Sequence, residues 1–327
     1  MLQGVLLPFH IARIGIFIVW VLLFSQLNLV HATQPKVLQT AEGIFDFQNW
    51  NVADGAVPLQ GHWAFHWQQQ LTPQEWSISQ ASWFDLPATW DKSGASEQIY
   101  SGKGFATFTA KLINLPKGVR WGIIIPEQST SFRLFINENL VAEGGIAGVS
   151  ASSTKPYSGN QYVELGELPA ESRLTWHVSN FHHANGGPWQ ALMIGPYHEL
   201  GLRFTGTTFD QALVMALALL TCLFLMVQLS IDRRDKASAL LAGFALIIAV
   251  RIGIIENQVL YQVFGTLPWQ LHVRLLYFTM LMASPVVIYW QHYIFPQELP
   301  RRIARRVLYA FIPPIASLFL LPSVWFT

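Results

Sequence analysis

The stretch QALVMALALLTCLFLMVQL, residues 211–229, decides the fold class of this chain. It contains no Asp, Glu, Lys or Arg. An α-helix rises about 1.5 Å per residue, so a helix of this length crosses a hydrocarbon layer of about 30 Å. We therefore predict a membrane span here, with a domain of different character before it.

Three more apolar runs lie after the first, at residues 237–255, 275–290 and 307–325. The short loops 231–236 and 291–306 carry Lys or Arg, whereas the loop 256–271 carries neither. Basic residues in short loops stay on the cytoplasmic side of a membrane. The pattern therefore predicts four spans, with residues 33–209 outside the cytoplasm.

The first 32 residues agree with this orientation. His10 and Arg13 precede an apolar run at residues 14–24, and the small residues Val30 and Ala32 suit a signal peptidase. This pattern predicts a secretory signal peptide, residues 1–32, that is cleaved after Ala32. The alternative is an uncleaved N-terminal anchor, and both interpretations place the domain that begins at Thr33 outside the cytoplasm.

Composition excludes several classes of function. With a net charge of +1, the chain has no electrostatic reason to bind nucleic acid. The single cysteine, Cys222, lies inside the first span, so residues 33–200 contain no thiol for a disulfide or a Cys-ligated metal. We predict no cofactor.

Residues 33–200 show the pattern of an all-β domain. Apolar residues recur with a period near two in residues 105–112, 121–126 and 131–136, and turn-forming residues separate these segments. We predict an exported β jelly roll at 33–200, followed by a transmembrane helical domain at 201–327.

Several short motifs, which occur along the chain in a fixed order, resemble those of a known family. Residues 58–67 (PLQGHWAFHW), 86–90 (LPATW) and 104–108 (GFATF) resemble the opening of galactose-binding-like jelly rolls. Residues 132–137 (FRLFIN) and 178–189 (VSNFHHANGGPW) resemble the extracellular domain of bacterial seven-transmembrane receptors with diverse intracellular signalling modules, 7TMR-DISM.

The membrane region continues the resemblance, in the same order, at 249–251 (AVR), 267–271 (LPWQL), 274–277 (RLLY) and 295–299 (FPQEL). The chain departs from the family at Ala184, where a basic residue is usual, and at Leu276, where an acidic one is usual. Only four of the seven spans are present, so the chain resembles the front part of such a receptor.

The resemblance implies a receptor of the bacterial inner membrane whose N-terminal domain lies in the periplasm. It also implies a small-molecule ligand, with carbohydrate as the first candidate, and signalling through the helices to a cytoplasmic output. In a full-length relative that output is a diguanylate cyclase, an adenylate cyclase or a histidine kinase. The partners implied are the membrane, the ligand, and either a second copy of the chain or a cytoplasmic signalling protein.

Nine tryptophans lie between Trp50 and Trp189. Aromatic rings stack on the apolar faces of sugars, although most buried tryptophans serve only to pack a core. We expect Trp67, Trp90 and Trp189 to be the exposed minority, because each lies at a segment end or beside turn residues.

The loop 180–189 supplies the other candidate ligand-binding residues, Asn180, His182 and His183. The two adjacent histidines would point to opposite faces of a strand, so they do not readily share a metal ion, and we predict no metal site. The loop is either purely structural or the rim of a ligand pocket or of the contact with the helices.

Asp210, Arg251 and Arg274 are candidate coupling residues. The predicted topology places all three in the outer part of the membrane, where an Asp–Arg pair would offset the cost of burial and tie the spans to the exported domain. The alternative is that each side chain reaches the interface separately.

We find no nucleophile–base arrangement and no phosphate-binding glycine loop, so the sequence does not predict an enzyme. The leading hypothesis is the sensor portion of a transmembrane receptor. The alternative is a membrane-anchored carbohydrate-binding or scaffold module without signalling. A third hypothesis, an exported glycosidase accessory domain, does not explain the four spans.

Overall fold

A computed structural model of the chain describes residues 38–76, 81–92, 96, 98–128 and 130–327. The predicted signal peptide, residues 1–32, lies outside the described residues. Within the described part, a sandwich of two β-sheets precedes a bundle of helices.

Twelve strands are described in the sandwich. They are β1 (Gln39–Ala41), β2 (Ile44–Asp46), β3 (Val57–Pro58), β4 (Gly61–Trp67), β5 (Ser82–Leu86), β6 (Gly104–Ile113), β7 (Arg120–Ile125), β8 (Ser131–Ile136), β9 (Asn139–Gly144), β10 (Gln161–Glu167), β11 (Ser172–Asn180) and β12 (Met193–Pro196).

The larger sheet has the order β1-β2-β6-β11-β8-β9, and β4 joins it through β6 with β5 beyond. Its central pair is antiparallel, from Ser172 opposite Leu112 to Asn180 opposite Gly104. The smaller sheet has the order β10-β7-β12-β3. Every pairing except β2 with β6 is antiparallel in the described residues.

Aromatic side chains fill the space between the sheets. Trp63, Trp121 and Trp176 are completely buried, and Phe47 meets Trp121 edge to face with ring centroids 5.5 Å apart. Such contacts add to the free energy gained by burying apolar area. The sandwich therefore has the packed core that a domain without disulfides requires.

Five α-helices come after the sandwich. They are α1 (Tyr197–Ile231), α2 (Lys236–Ile254), α3 (Val259–Phe264), α4 (Trp269–Ile294) and α5 (Arg301–Leu320). All except the short α3 are long and apolar enough to cross a membrane. The predicted fold class, an all-β jelly-roll-type domain followed by four apolar helices, is confirmed.

The helices pack in chain order, α1 against α2, α2 against α4, and α4 against α5. The small side chains of Ala218 and Ala249 are buried where α1 meets α2 and let the two helices approach closely. Pro313 and Pro314 lie inside α5, which continues without interruption through both.

The first helix is longer than the predicted span, because it starts at Tyr197 directly after β12. Its 35 residues extend for about 50 Å, well beyond a hydrocarbon thickness of about 30 Å. The first part of α1 packs against the smaller sheet of the sandwich.

Candidate functional site

The sandwich holds the start of α1 through stacked rings on the smaller sheet. Tyr162 of β10 stacks on Tyr197, with centroids 4.9 Å apart and ring planes 13° apart, and also on Phe204 at 5.8 Å. The Tyr162 hydroxyl donates a hydrogen bond to the carbonyl of Tyr197. Gly201 makes this contact feasible, because a Cβ there would lie 2.8 Å from the Tyr162 hydroxyl.

A second connection runs through the loop between α2 and α3. Asn160 of the sandwich donates from Nδ2 to Oδ1 of Asn257 at 3.1 Å. Asn257 in turn donates from Nδ2 to the carbonyl of Phe204 at 3.0 Å and to Oγ1 of Thr208 at 2.8 Å. One asparagine of this loop thus joins the sandwich, α1 and α2.

The backbone of this loop is strained. Glu256 and Gln258 have φ values of 49° and 52°, a left-handed conformation that non-glycine residues rarely adopt. Gly159 of the sandwich has φ of +118°, and a Cβ there would lie 2.7 Å from Gln258 Oε1. Residues held in such conformations require support from their surroundings and concentrate at functional sites.

Two cavities open on either side of this contact, where the sandwich faces the helices. The first, the α1 cavity, has a volume of about 770 Å³ and is walled by Arg203, Thr207 and Asp210 on its helical side. The second, the α4 cavity, has about 580 Å³ and is walled by Trp269, Val273 and Tyr277. Both volumes suit a small ligand. The residues common to both linings are Asn160, Trp189, Gln190, Ile255 and Glu256.

Trp189 is the candidate that the structure places most favourably for ligand contact. It is 43% exposed, and it lines both cavities. The other eight tryptophans between Trp50 and Trp189 are buried or half-buried. An exposed indole at a cavity wall provides a flat apolar face beside polar amides, which is how sugar rings are commonly held.

The expected exposure of Trp90 is wrong. Trp90 is completely buried, and its indole nitrogen donates to the carbonyl of Gly102 at 3.2 Å. Trp67 is half-buried and packs edge to face on Trp90, with centroids 5.1 Å apart. Neither residue lines either cavity. The Trp67 ring and the backbone of Gly186 and Gly187 cover the Trp90 ring.

Asn180 stabilises the shape of its own loop. Its side chain is completely buried, and Nδ2 donates to the carbonyls of Gly102, His183 and Asn185 at 2.7–2.9 Å. The loop 180–189 nevertheless contributes His183, Asn185 and Trp189 to the lining of the α4 cavity. Asn180 thus shapes the loop, while other residues of the same loop line the cavity, and a ligand-binding role for them stays a prediction.

The two histidines of the loop have separate surroundings. His182 packs on Trp269 with centroids 6.1 Å apart, and its carbonyl accepts a hydrogen bond from Ser323 Oγ at 2.7 Å. Nδ1 of His183 lies 3.0 Å from the carbonyl of Asn185, and burial lowers the pKa of His183. No three His, Cys, Asp or Glu side chains in the described part of the chain are grouped as a metal site would need.

The three candidate coupling residues do not form an ion pair. Asp210 lines the α1 cavity, and Arg251 lines the α4 cavity. Arg251 Nη1 donates to the carbonyl of Leu276 at 3.0 Å, and Arg274 Nη1 donates to the carbonyl of Phe319 at 3.3 Å. Within the described residues Asp210 pairs with neither arginine.

Glu127 brings a titratable carboxyl group to the α4 cavity. Burial raises the pKa of Glu127 to about 7. Its Oε1 lies 4.0 Å from Nε2 of His272, a buried residue of α4, and Nδ1 of His272 lies 2.6 Å from the hydroxyl of Tyr261. A sandwich carboxyl group thus faces an imidazole of the bundle.

Several of these residues carry no signal in the sequence. Asn160 and Asn257 are separated by 97 positions, and neither belongs to a recognisable motif. Tyr162 and Glu127 likewise acquire their roles only from the way α1 and α4 pack under the smaller sheet. Two polar residues that far apart can be paired only when the docking of the two domains is known.

No family model matches the chain, and no curated protein matches it. The solved structures that resemble it include a Faecalibacterium prausnitzii β-glucuronidase, with 13% identity over 43% of this chain and 31% of that one, at a TM-score of 0.33. They also include an Eisenbergiella tayi β-galacturonidase bound to galacturonate, with 12% identity over 42% of this chain and 24% of that one, at 0.30.

A Ruminococcus gnavus β-glucuronidase shows 9% identity over 42% of this chain and 28% of that one, at a TM-score of 0.32. The chain spans about a third or less of the length of these three enzymes. Similarities at this level identify no function. The resemblance to the 7TMR-DISM family stays a prediction.

Proposed function

We propose that this chain is the sensor portion of a transmembrane signalling receptor. The β-sandwich lies outside the cytoplasm, and in a bacterium this places it in the periplasm above the inner membrane. A small polar ligand, with carbohydrate as the first candidate class, binds between the sandwich and the helices. The signal passes through the helices to a cytoplasmic output module.

The observation that carries the proposal is the position of the two cavities. Each has one wall from the sandwich and one from the helices, and Trp189 lies in both. A ligand in this position contacts both domains at once. It therefore favours the arrangement of sandwich and helices that it fits better, and the size of the signal is set by that difference in affinity.

The contacts offer a route from ligand to helices. Trp189 and Asn160 belong to the cavity walls, and Asn160 is bonded to the loop of Glu256 and Asn257. Asn257 is bonded to α1. A ligand that moves Asn160 would therefore change the position of the loop relative to α1.

The alternative is a membrane-anchored binding or scaffold module. Two observations favour it: β12 continues directly into α1, and Tyr162 stacks on Tyr197. These two connections are sufficient to hold a binding domain rigidly on a membrane helix. The two proposals differ in whether ligand binding changes the arrangement of the helices.

Replacing Trp189 with Ala tests the position of the site. Because the indole lines both cavities, we expect Trp189→Ala to weaken monosaccharide binding by about 1–3 kcal/mol without unfolding the chain. The measurement is isothermal titration of the full chain in lipid nanodiscs with D-glucose and D-glucuronate. Trp325→Ala is the matched control, because Trp325 is 77% exposed and lines neither cavity. Equal affinities in the wild type and Trp189→Ala would disprove the site.

A further inference from the structure

The wall of the α4 cavity contains a cation without a counter-ion in the described part of the chain. Arg251 lies in the last turn of α2 and is half-buried. Its guanidinium donates to the carbonyl of Leu276 at 3.0 Å, and no described carboxylate forms an ion pair with it. A guanidinium offers five N–H donors, and removing it from water without an anion costs free energy.

The acidic residues that line the same cavity form no ion pair with Arg251. Glu256 Oε2 accepts a hydrogen bond from Gln211 Nε2 of α1 at 2.9 Å, so that oxygen is engaged on the α1 side. Burial raises the pKa of Glu127 to about 7, so this carboxyl group is partly uncharged at neutral pH. Lys92 adds a second positive charge to the lining, while burial lowers the pKa of His183 and favours its neutral form. The cavity therefore favours a ligand that carries negative charge.

The remaining lining suits a sugar ring. Trp189, Trp269 and Tyr277 supply aromatic surface, and Asn160 and Gln190 supply amide groups that both donate and accept hydrogen bonds. Aromatic surface holds the apolar face of a ring, and amides match its hydroxyl groups. A planar guanidinium beside them fits a carboxylate or phosphate with two parallel hydrogen bonds.

We propose that the α4 cavity binds a saccharide with an anionic substituent, a carboxylate or a phosphate, with the anion on Arg251 and the sugar ring against Trp189. The proposal rests on the proposed function and names the class of ligand. Arg251 then acts as the specificity-determining residue of the site. It does so instead of forming the ion pair with Asp210 that the sequence suggested.

The test compares an acidic sugar with its neutral counterpart. Full-length chain in phosphatidylcholine nanodiscs is titrated calorimetrically with D-glucuronate and with D-glucose. We expect the wild type to bind D-glucuronate at least ~10-fold more tightly, because a hydrogen bond to a charged group contributes more than a neutral one. We expect Arg251→Gln to remove this preference and Arg251→Lys to retain part of it.

Arg305→Gln is the matched control, because Arg305 is an exposed arginine of α5 outside both cavities, and it keeps the wild-type preference. Equal wild-type affinities for the two sugars overturn the proposal. A loss of both affinities in Arg251→Gln while Arg251→Lys behaves like the wild type also overturns it, since the arginine then supports the fold and not the anion.

Two further outcomes separate this proposal from the one on which it rests. If both sugars bind equally and Trp189→Ala weakens both, the proposed function stands and the anionic class is wrong. If neither sugar binds, both proposals fail.

A second experiment uses phosphatidylglycerol nanodiscs. If D-glucuronate does not bind in phosphatidylcholine but Arg251→Gln reduces retention of phosphatidylglycerol, the anion is a lipid headgroup and the saccharide proposal is overturned.

Discussion

Glu127 is the residue at which the docking of the two domains depends most directly on protonation. Its Oε1 lies 4.0 Å from Nε2 of His272 of the bundle, and burial raises the pKa of Glu127 from 4.5 to about 7. The other charged or titratable groups that surround it are Lys92, His183, Arg251, Glu256, Tyr261, His272 and Tyr277. The native arrangement therefore binds a proton at Glu127 more tightly than the unfolded chain does.

This raised pKa fixes the sign of the pH dependence. The stability that Glu127 contributes is fully present below about pH 4.5 and is lost as the pH rises to about 7. We expect Glu127→Gln, which mimics the protonated form, to be more stable than the wild type at pH 8 by about 1–3 kcal/mol. The measurement is the thermal unfolding midpoint of the full chain in nanodiscs between pH 4.5 and pH 8.

Glu138→Gln is the control for this prediction, because Glu138 is an exposed glutamate in the turn between β8 and β9. It should keep the wild-type dependence on pH. If Glu127→Gln and the wild type lose stability in parallel across the same range, Glu127 is not the group that titrates.

Among the elements, the loop between α2 and α3 joins the sandwich to α1 through side-chain hydrogen bonds. Asn257 bonds to Asn160, to the carbonyl of Phe204 and to Thr208 at distances of 2.8–3.1 Å. The loop maintains Glu256 and Gln258 in left-handed conformations to reach these partners. Backbone strain of this kind persists only when the surrounding contacts compensate for it.

A double-mutant cycle measures the bond between Asn160 and Asn257. We expect the two alanine substitutions to be non-additive by about 0.5–1.5 kcal/mol in the free energy of unfolding, because one side-chain hydrogen bond is shared between them. Reversible unfolding in mixed micelles gives the four values. Asn139→Ala, an exposed asparagine of β9, combined with Asn257→Ala serves as the control and should be additive. Additivity within about 0.3 kcal/mol for the first pair would show that the bond does not contribute.

The sequence predicts where strands and helices lie better than it predicts which of their side chains touch. Alternating apolar residues at 105–112 and 131–136 predicted strands that the structure contains as β6 and β8, because one face of each strand packs in the core. The early start of α1 was missed, since the polar segment 197–209 lacks the apolar character of a span and becomes helical against Tyr162. Trp90 was misplaced because turn residues predict where the chain bends and not what the bend covers.

The site was predictable only in part, for the same reason. Trp189 was chosen because it lies beside turn residues, and the structure exposes it at two cavities. Asp210 and Arg251 were grouped by depth in the membrane, yet they line different cavities. The depth of a residue in the membrane follows from where its span begins and ends, and the sequence indicates those boundaries. The cavity that the residue faces depends on how the helices rotate and pack. The apolar runs have too weak a pattern to predict that rotation.

On the scale of the whole molecule, the arrangement of sandwich and helices is the feature that a ligand can change. Stacking of Tyr162 on Tyr197 ties α1 to the smaller sheet, and the hydrogen bond between Asn160 and Asn257 ties the loop between α2 and α3 to the sandwich. Glu127 of the sandwich faces His272 of α4 with Oε1 and Nε2 4.0 Å apart. The first connection combines stacked rings with one hydrogen bond, whereas the others consist of polar groups alone. Polar contacts beside a cavity are the ones that a polar ligand can replace.

The most direct test of the receptor proposal is the distance between sandwich and bundle with and without sugar. Spin labels on cysteines at the exposed positions Val52 and Ile303, in a chain with Cys222→Ala, report this distance by pulsed electron resonance in nanodiscs. We predict that saturating D-glucuronate, or D-glucose if that sugar binds, shifts the distance distribution in the labelled chain and leaves it unchanged when Trp189→Ala is added. A distribution that does not change while calorimetry shows the site to be saturated would contradict the receptor proposal and favour the anchored binding module.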